Sequence, residues 1–216
     1  MRSRARTLEL AGYGGAPLPC AFYEGGEAEA AVVLPGAAHA GNRLGGSPAR
    51  PDLNYVRAVL QSEGLAVLEV WWDAGSAPRG DLDGWLDANA DAALAEAGRG
   101  GRRVVLLVGR SIGTKALARV VRRHPPVPTV WVAPLLGDRS VRAALAELTA
   151  PAFVLVGTAD ALFDAAVAES LRDRGATVVV LEGAGHSLET DDAADSARRL
   201  ADALDELRAF VRASRP

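Results

Sequence analysis

Short, mostly apolar runs recur along the chain: Ala30 to Leu34, Ala66 to Trp71, Val104 to Val108, Thr129 to Ala133, Phe153 to Val156 and Thr177 to Leu181. Their length and their β-branched content predict buried strands. Between them, apolar residues return at steps of three and four. One such stretch, Asp52 to Glu63, places Leu53, Val56 and Leu60 on one face and stops at Gly64. Others cover Leu82 to Ala97, the residues after Ser111 up to His124-Pro125-Pro126, Val141 to Leu148, and Asp164 to Asp173. A last one, Asp192 to Arg212, carries Leu200, Leu204, Leu207 and Val211 along one side. These predict helices with one apolar face. Before all of them, Thr7 to Gly12 and Leu18 to Tyr23 flank a Gly-Gly-Ala-Pro turn and read as a hairpin.

Strand and helix therefore alternate, and the strands are apolar on both sides. This is the pattern of an α/β fold, with a mostly parallel central sheet of about eight strands, helices on both faces and an antiparallel N-terminal edge. Residues 1–216 read as one domain, since no linker or repeat divides them. The longest irregular stretch, Gly36 to Pro51, follows the third strand, and long loops in compact domains are often functional.

Charge and composition narrow the partners. A formal net charge of -3, with no concentrated cationic face, gives no basis for a nucleic-acid or anionic-membrane partner and favours a small-molecule substrate. The single cysteine, Cys20, permits no intramolecular disulfide and no cysteine-based zinc site. Met1-Arg2-Ser3-Arg4 is basic, but no apolar signal region follows it and no run is long enough to span a bilayer, so the expected location is cytoplasmic. No ligand cluster or phosphate-binding glycine motif calls for a metal or cofactor. A monomer and a homodimer remain equally compatible with the sequence.

The most informative motif is Gly109-Arg110-Ser111-Ile112-Gly113, placed where a strand ends and a helix begins. That is the context of a nucleophile elbow, Gly-x-Ser-x-Gly, in which small residues let the strand and helix pass closely around a strained serine. Ser111 then stands at a helix N-terminus, with the Ile112 N–H and the helix dipole facing any oxyanion formed there. Alone the motif is weak, because glycine-rich turns contain serine by chance. Two further loops strengthen it. Gly157-Thr158-Ala159-Asp160 and Gly183-Ala184-Gly185-His186-Ser187 each follow a strand, and in a parallel sheet all strand-to-helix loops emerge at the carboxyl edge. A serine hydroxyl needs a base, and the base a carboxylate to hold its tautomer. The order Ser, Asp, His matches the one expected for such a sheet.

With these turns, and with Leu34-Pro35-Gly36 after the third strand, the chain resembles the α/β-hydrolases. It is most similar to compact, lidless bacterial members related to dienelactone-hydrolase-like proteins and small serine esterases, over essentially its whole length. The resemblance implies the α/β-hydrolase fold without a cap domain, Ser111 as nucleophile, His186 as general base and then acid, and Asp160 as its orienting partner. It also implies an oxyanion hole formed by the Ile112 N–H and by the residue after the third-strand turn, Ala37, with Ala38 next. Dienelactone hydrolases carry a cysteine nucleophile, so the serine here argues against their substrate.

Other residues have plainer readings. His124 ends a helix and reads as a surface residue near the dipole; Asp164 suits a helix N-terminus better than the acid role; Asp138 and Glu182 are more remote. Lys115 reads as facing solvent, and Trp131 as core. His39 borders the site in the long loop, and Trp72 (beside Trp71) and Leu135 are candidate apolar walls for substrate. With no room for a cap between Pro134 and Pro151, a shallow site for small carboxylic esters or thioesters is expected. The competing functions are a non-hydrolytic enzyme on the same fold, an acyltransferase or a biosynthetic cyclase or lyase, and a non-catalytic binding protein.

Overall fold

A computed structural model describes residues 5–36 and 51–215. The described residues form eight strands and six helices: β1 (Ala5–Ala11), β2 (Pro17–Tyr23), β3 (Glu29–Leu34), α1 (Pro51–Ser62), β4 (Ala66–Val70), α2 (Leu82–Ala97), β5 (Arg103–Arg110), α3 (Ile112–Val120), β6 (Thr129–Val132), α4 (Arg139–Glu147), β7 (Ala152–Gly157), α5 (Ala165–Asp173), β8 (Thr177–Leu181) and α6 (Ala193–Ser214). The strands make one sheet in the order β1-β2-β4-β3-β5-β6-β7-β8. β2 runs antiparallel to both β1 and β4, and every other pairing is parallel.

Strand alternation divides the core in two. Val32 and Leu34 of β3, Leu68 and Val70 of β4 and Leu107 of β5 face one side, where Leu86, Leu117, Leu145 and Leu171 of α2 to α5 cover them. Val33, Val67, Leu106 and Val108 face the other, where Leu53, Val56 and Leu60 of α1 meet Leu207, Phe210 and Val211 of α6. An uninterrupted apolar strand is thus the signature of burial on both faces. The helix starts are set by side-chain caps: Asp81, Asp138, Asp164 and Asp192 accept hydrogen bonds from N–H groups of the first turn that have no intrahelical partner.

Three buried strand positions break the apolar rule, Glu69, Arg110 and Thr129. Glu69 of β4 is 1% exposed, under α1, with Oε1 3.3 Å from Arg57 Nε but without a hydrogen-bond partner. Arg57 lies over the Tyr23 ring at 4.3 Å. Burial, partly offset by the Arg57 charge and the Tyr23 hydroxyl, raises the Glu69 carboxyl from 4.5 to about 7. Because the folded value lies above the ordinary one, the fold keeps a proton that the unfolded chain has lost. The stability contribution of this group is therefore complete below about pH 4.5 and is lost as pH rises toward about 7. Glu69→Gln removes that dependence. Its melting temperature relative to wild type is expected to improve between pH 5 and pH 8; a gap that does not change with pH contradicts the assignment.

Candidate active site

Three loops at the carboxyl ends of β5, β7 and β8 meet at one point. Ser111 links β5 directly to α3 with φ 50° and ψ -119°, one of three non-glycine residues with positive φ among those described. Its N–H donates to Val132 O (3.1 Å), and the buried Thr114 hydroxyl donates to its carbonyl (2.5 Å). Thr114 Oγ1 also accepts from the Leu135 N–H at 3.3 Å, which joins the elbow to the end of β6.

His186 stands opposite. Its Nδ1–H donates to Asp160 Oδ2 at 2.7 Å, and Nε2 lies 2.9 Å from Ser111 Oγ, placed to accept the hydroxyl proton. The Asp160 side chain is 2% exposed against 37% for His186, so the carboxylate is enclosed while the imidazole reaches the surface. Asp160 Oδ1 accepts from the Leu162 N–H, which fixes the plane of the carboxylate. The structure therefore brings together Ser111, Asp160 and His186, in an arrangement that can carry a proton from the hydroxyl to the imidazole and stabilise the resulting imidazolium.

Two glycines make this convergence possible. A Cβ on Gly113 would sit 2.1 Å from Leu34 O, so α3 could not start so close to the end of β3. One on Gly157 would sit 2.0 Å from Ala184 O, in the loop that carries His186. That approach is closed by a hydrogen bond from the Ala159 N–H to Ala184 O.

The remaining candidates lie apart from these three or have different partners. Asp164 accepts from the Ala166 and Val167 N–H groups at the start of α5. Glu182 accepts from the Thr158 hydroxyl, and His124 Nε2 faces Asp91 of α2 at 3.4 Å. Lys115 does not face open solvent as expected from sequence; it pairs with Asp138 Oδ2 at 3.1 Å. Burial works against the Asp138 charge, but hydrogen bonds from Ser140 and Lys115 outweigh it and hold the carboxyl at about 2. Burial, with Glu96 nearby, pushes the Cys20 thiol up to about 12, so it offers no thiolate.

Ile112, the expected oxyanion donor, is the first residue of α3. Ala37, Ala38 and His39 lie outside the described residues. Their approach, Leu34-Pro35-Gly36, is held by Trp72, whose indole N–H is shared between Pro35 O (3.2 Å) and Gly36 O (3.3 Å). Trp72 is buried against Trp85, with ring centroids 5.3 Å apart. With Tyr13, Trp71 and Asn89 these two rings line a cavity of about 420 Å³ at the carboxyl edge of β4. Leu135 is half-buried beside the elbow, and Trp131 is fully buried with its N–H on Thr129. A larger cavity, about 680 Å³, lies at the opposite edge, along Leu94, Val104 and Val127, and none of the three central residues lines it.

Sequence reasoning missed Thr114, Arg110 and Asp52. Thr114 had a signal, a hydroxyl three residues after the serine in the first turn of the helix. Arg110 occupies the variable position of the motif, which carries no sign of a partner. In the structure it is buried and donates through Nε to Asp52 Oδ2 (2.6 Å) and through Nη2 to His186 O (3.2 Å).

No family model and no curated protein matches the chain. Solved structures do. A lidless α/β serine hydrolase from Xanthomonas campestris superposes with a TM-score of 0.73 at 22% identity, over 99% of this chain and 96% of that one. Dienelactone hydrolase from Anabaena variabilis gives 0.71 at 18%, over 100% of both. An esterase from Pyrococcus furiosus gives 0.74 at 13%, over 98% and 93%. The chain has the α/β-hydrolase fold, in its lidless form: between β6 and β7 the described residues add α4 alone. None of the described helices is long and apolar enough to cross a membrane.

The glycine contacts can be tested in the folded protein. Gly157→Ala should destabilise by about 1–3 kcal/mol, the usual cost of overpacking, read as a fall in melting temperature. Gly185→Ala, where a Cβ meets nothing within 4 Å, should stay near wild type. Equal effects at the two sites would show that the close approach of the loops is not what demands Gly157.

Proposed function

We propose that the protein is a serine hydrolase that cleaves small carboxylic esters or thioesters through an acyl-enzyme on Ser111. The observation that carries this reading is the unbroken chain of contacts from Ser111 Oγ through His186 to the buried Asp160, at 2.9 and 2.7 Å. The esterases and serine hydrolase among the structural neighbours support it.

In this mechanism Ser111 Oγ attacks the substrate carbonyl carbon while His186 Nε2 takes the hydroxyl proton. The carbonyl oxygen becomes an oxyanion that receives the Ile112 N–H at the positive end of α3, with Ala37 N–H as the proposed second donor. Asp160 holds Nδ1–H and so keeps Nε2 free to accept; its charge then stabilises the imidazolium. Collapse of the intermediate breaks the ester C–O or thioester C–S bond, and His186 returns its proton to the leaving alkoxide or thiolate. Water then attacks the acyl-enzyme by the same steps, which frees the carboxylic acid and restores Ser111. The lidless edge and the half-buried Leu135 beside the elbow favour a compact acyl group over a long chain.

Steady-state hydrolysis of short activated esters tests this assignment. Asp160→Asn is expected to lower kcat by about 10⁴-fold, as in other triads, with the fold retained. Asp164→Asn, which keeps a side-chain oxygen at the α5 cap, is expected to leave both kcat and stability near wild type, because Asn caps a helix as well as Asp. Steep loss in Asp164→Asn with Asp160→Asn unaffected would reverse the two assignments.

A further inference from the structure

Arg110 is a charged residue at the end of a central strand. Its side chain is 5% exposed, and that of its partner Asp52 is 3% exposed. A buried ion pair is a poor source of stability, because the desolvation of two ions roughly cancels their attraction and an apolar pair of similar size does as well. Its geometry points to another role. Leu106 and Val108 point to the face covered by α1 and α6, and Arg110 continues that alternation. The guanidinium therefore lies between the first turn of α1 and the loop carrying His186. One edge of the fork meets Asp52 Oδ2 at 2.6 Å, and another donor meets the carbonyl of His186 itself at 3.2 Å.

Backbone bonds also hold that loop at residues flanking His186. Ala184 O receives the Ala159 N–H at 2.9 Å, and the Gly185 N–H donates to Glu189 O at 3.0 Å. The Arg110 bond acts on the main chain of the histidine and starts from the residue covalently joined to Ser111. Both ends of the Ser111–His186 contact are thus referred to one side chain, which Asp52 holds in place through α1.

We infer that Arg110, oriented by Asp52, is a positioning residue that sets the distance between Ser111 and His186. This rests on the hydrolase reading of the site. A guanidinium can meet a carboxylate and a carbonyl at once with fixed directions, whereas an ammonium is a point charge on a flexible stem and cannot reproduce that fork. Loss of the link lets the imidazole drift, and a displacement of about 1 Å at a reacting pair costs about 10²-fold in rate. Since Arg110 does not reach the substrate, the loss should fall on kcat and leave KM in place.

The test compares Arg110→Lys, Asp52→Asn and Ser111→Ala in hydrolysis of a short activated ester, with folding checked by circular dichroism. Arg212→Met, which breaks the surface pair of α6 with Glu63, serves as a control for lost charge contacts on the same face. Arg110→Lys is expected to lower kcat by about 10²-fold with KM little changed, Asp52→Asn to lower it less in the same direction, and Arg212→Met to change neither. Should the single variants fail to fold, Arg110→Met with Asp52→Leu removes both charges together and is expected to fold with kcat still reduced. A folded Arg110→Lys with wild-type kcat, a rise in KM at constant kcat, or full turnover in the double variant overturns the inference. If Ser111→Ala retains wild-type turnover, the hydrolase reading fails first; if Ser111→Ala is inactive and Arg110→Lys is not impaired, the positioning role alone fails.

Discussion

Ser111 sits at φ 50° and ψ -119°, where residues with a side chain are rarely found and where holding one costs on the order of 1–3 kcal/mol. The carboxyl edge of the sheet is built to keep it there. β5 lies between β3 and β6, so the strand cannot shift to relax the turn. The serine N–H is taken by Val132 O and its carbonyl by the Thr114 hydroxyl, while the side chain meets His186 Nε2. α3 must then begin at once, and it can do so only because Gly113 has no Cβ to strike Leu34 O. The strain is useful because the same turn that strains the backbone lifts Oγ toward His186.

The two faces of the sheet divide the remaining work. On the side of α2 to α5, packing is apolar and Trp72 ties the end of β3 to the β4 edge through its indole N–H. On the side of α1 and α6, two arginine–carboxyl pairs join one helix to the sheet: Asp52 with Arg110, and Arg57 with the buried Glu69. α1 is therefore fixed by directed contacts as well as by Leu53, Val56 and Leu60. Arg110, held by Asp52 of α1, also donates to the carbonyl of His186, so a helix far from that loop in sequence is tied to it in space.

Element order and type were legible because burial on both faces leaves a strong mark. Helix α2 falls at the residues its pattern predicted, α1 is shifted by one residue, and β4 and β6 end one residue early, at Val70 and Val132. That Ser111, Asp160 and His186 come together in space could be read because each follows a strand, and parallel topology sends such loops to a common edge. What escaped the sequence was pairing across distance. A glutamate within Ala66 to Val70 and an arginine at the variable elbow position carry no local sign of a partner, since Arg57 and Asp52 become neighbours only through packing. Trp72 shows the same limit: its aromatic character was visible, while its bond to Pro35 and Gly36 depends on how two strand ends approach.

The central claim is that Ser111 is an activated nucleophile. The most direct measurement is covalent labelling with a small fluorophosphonate, read by intact mass and peptide mapping in wild type and Ser111→Ala, since this reagent reports activation without knowledge of the substrate. The account predicts one adduct, on Ser111, absent from the variant. A folded wild type that takes up no adduct, or an adduct that persists in Ser111→Ala, would contradict it.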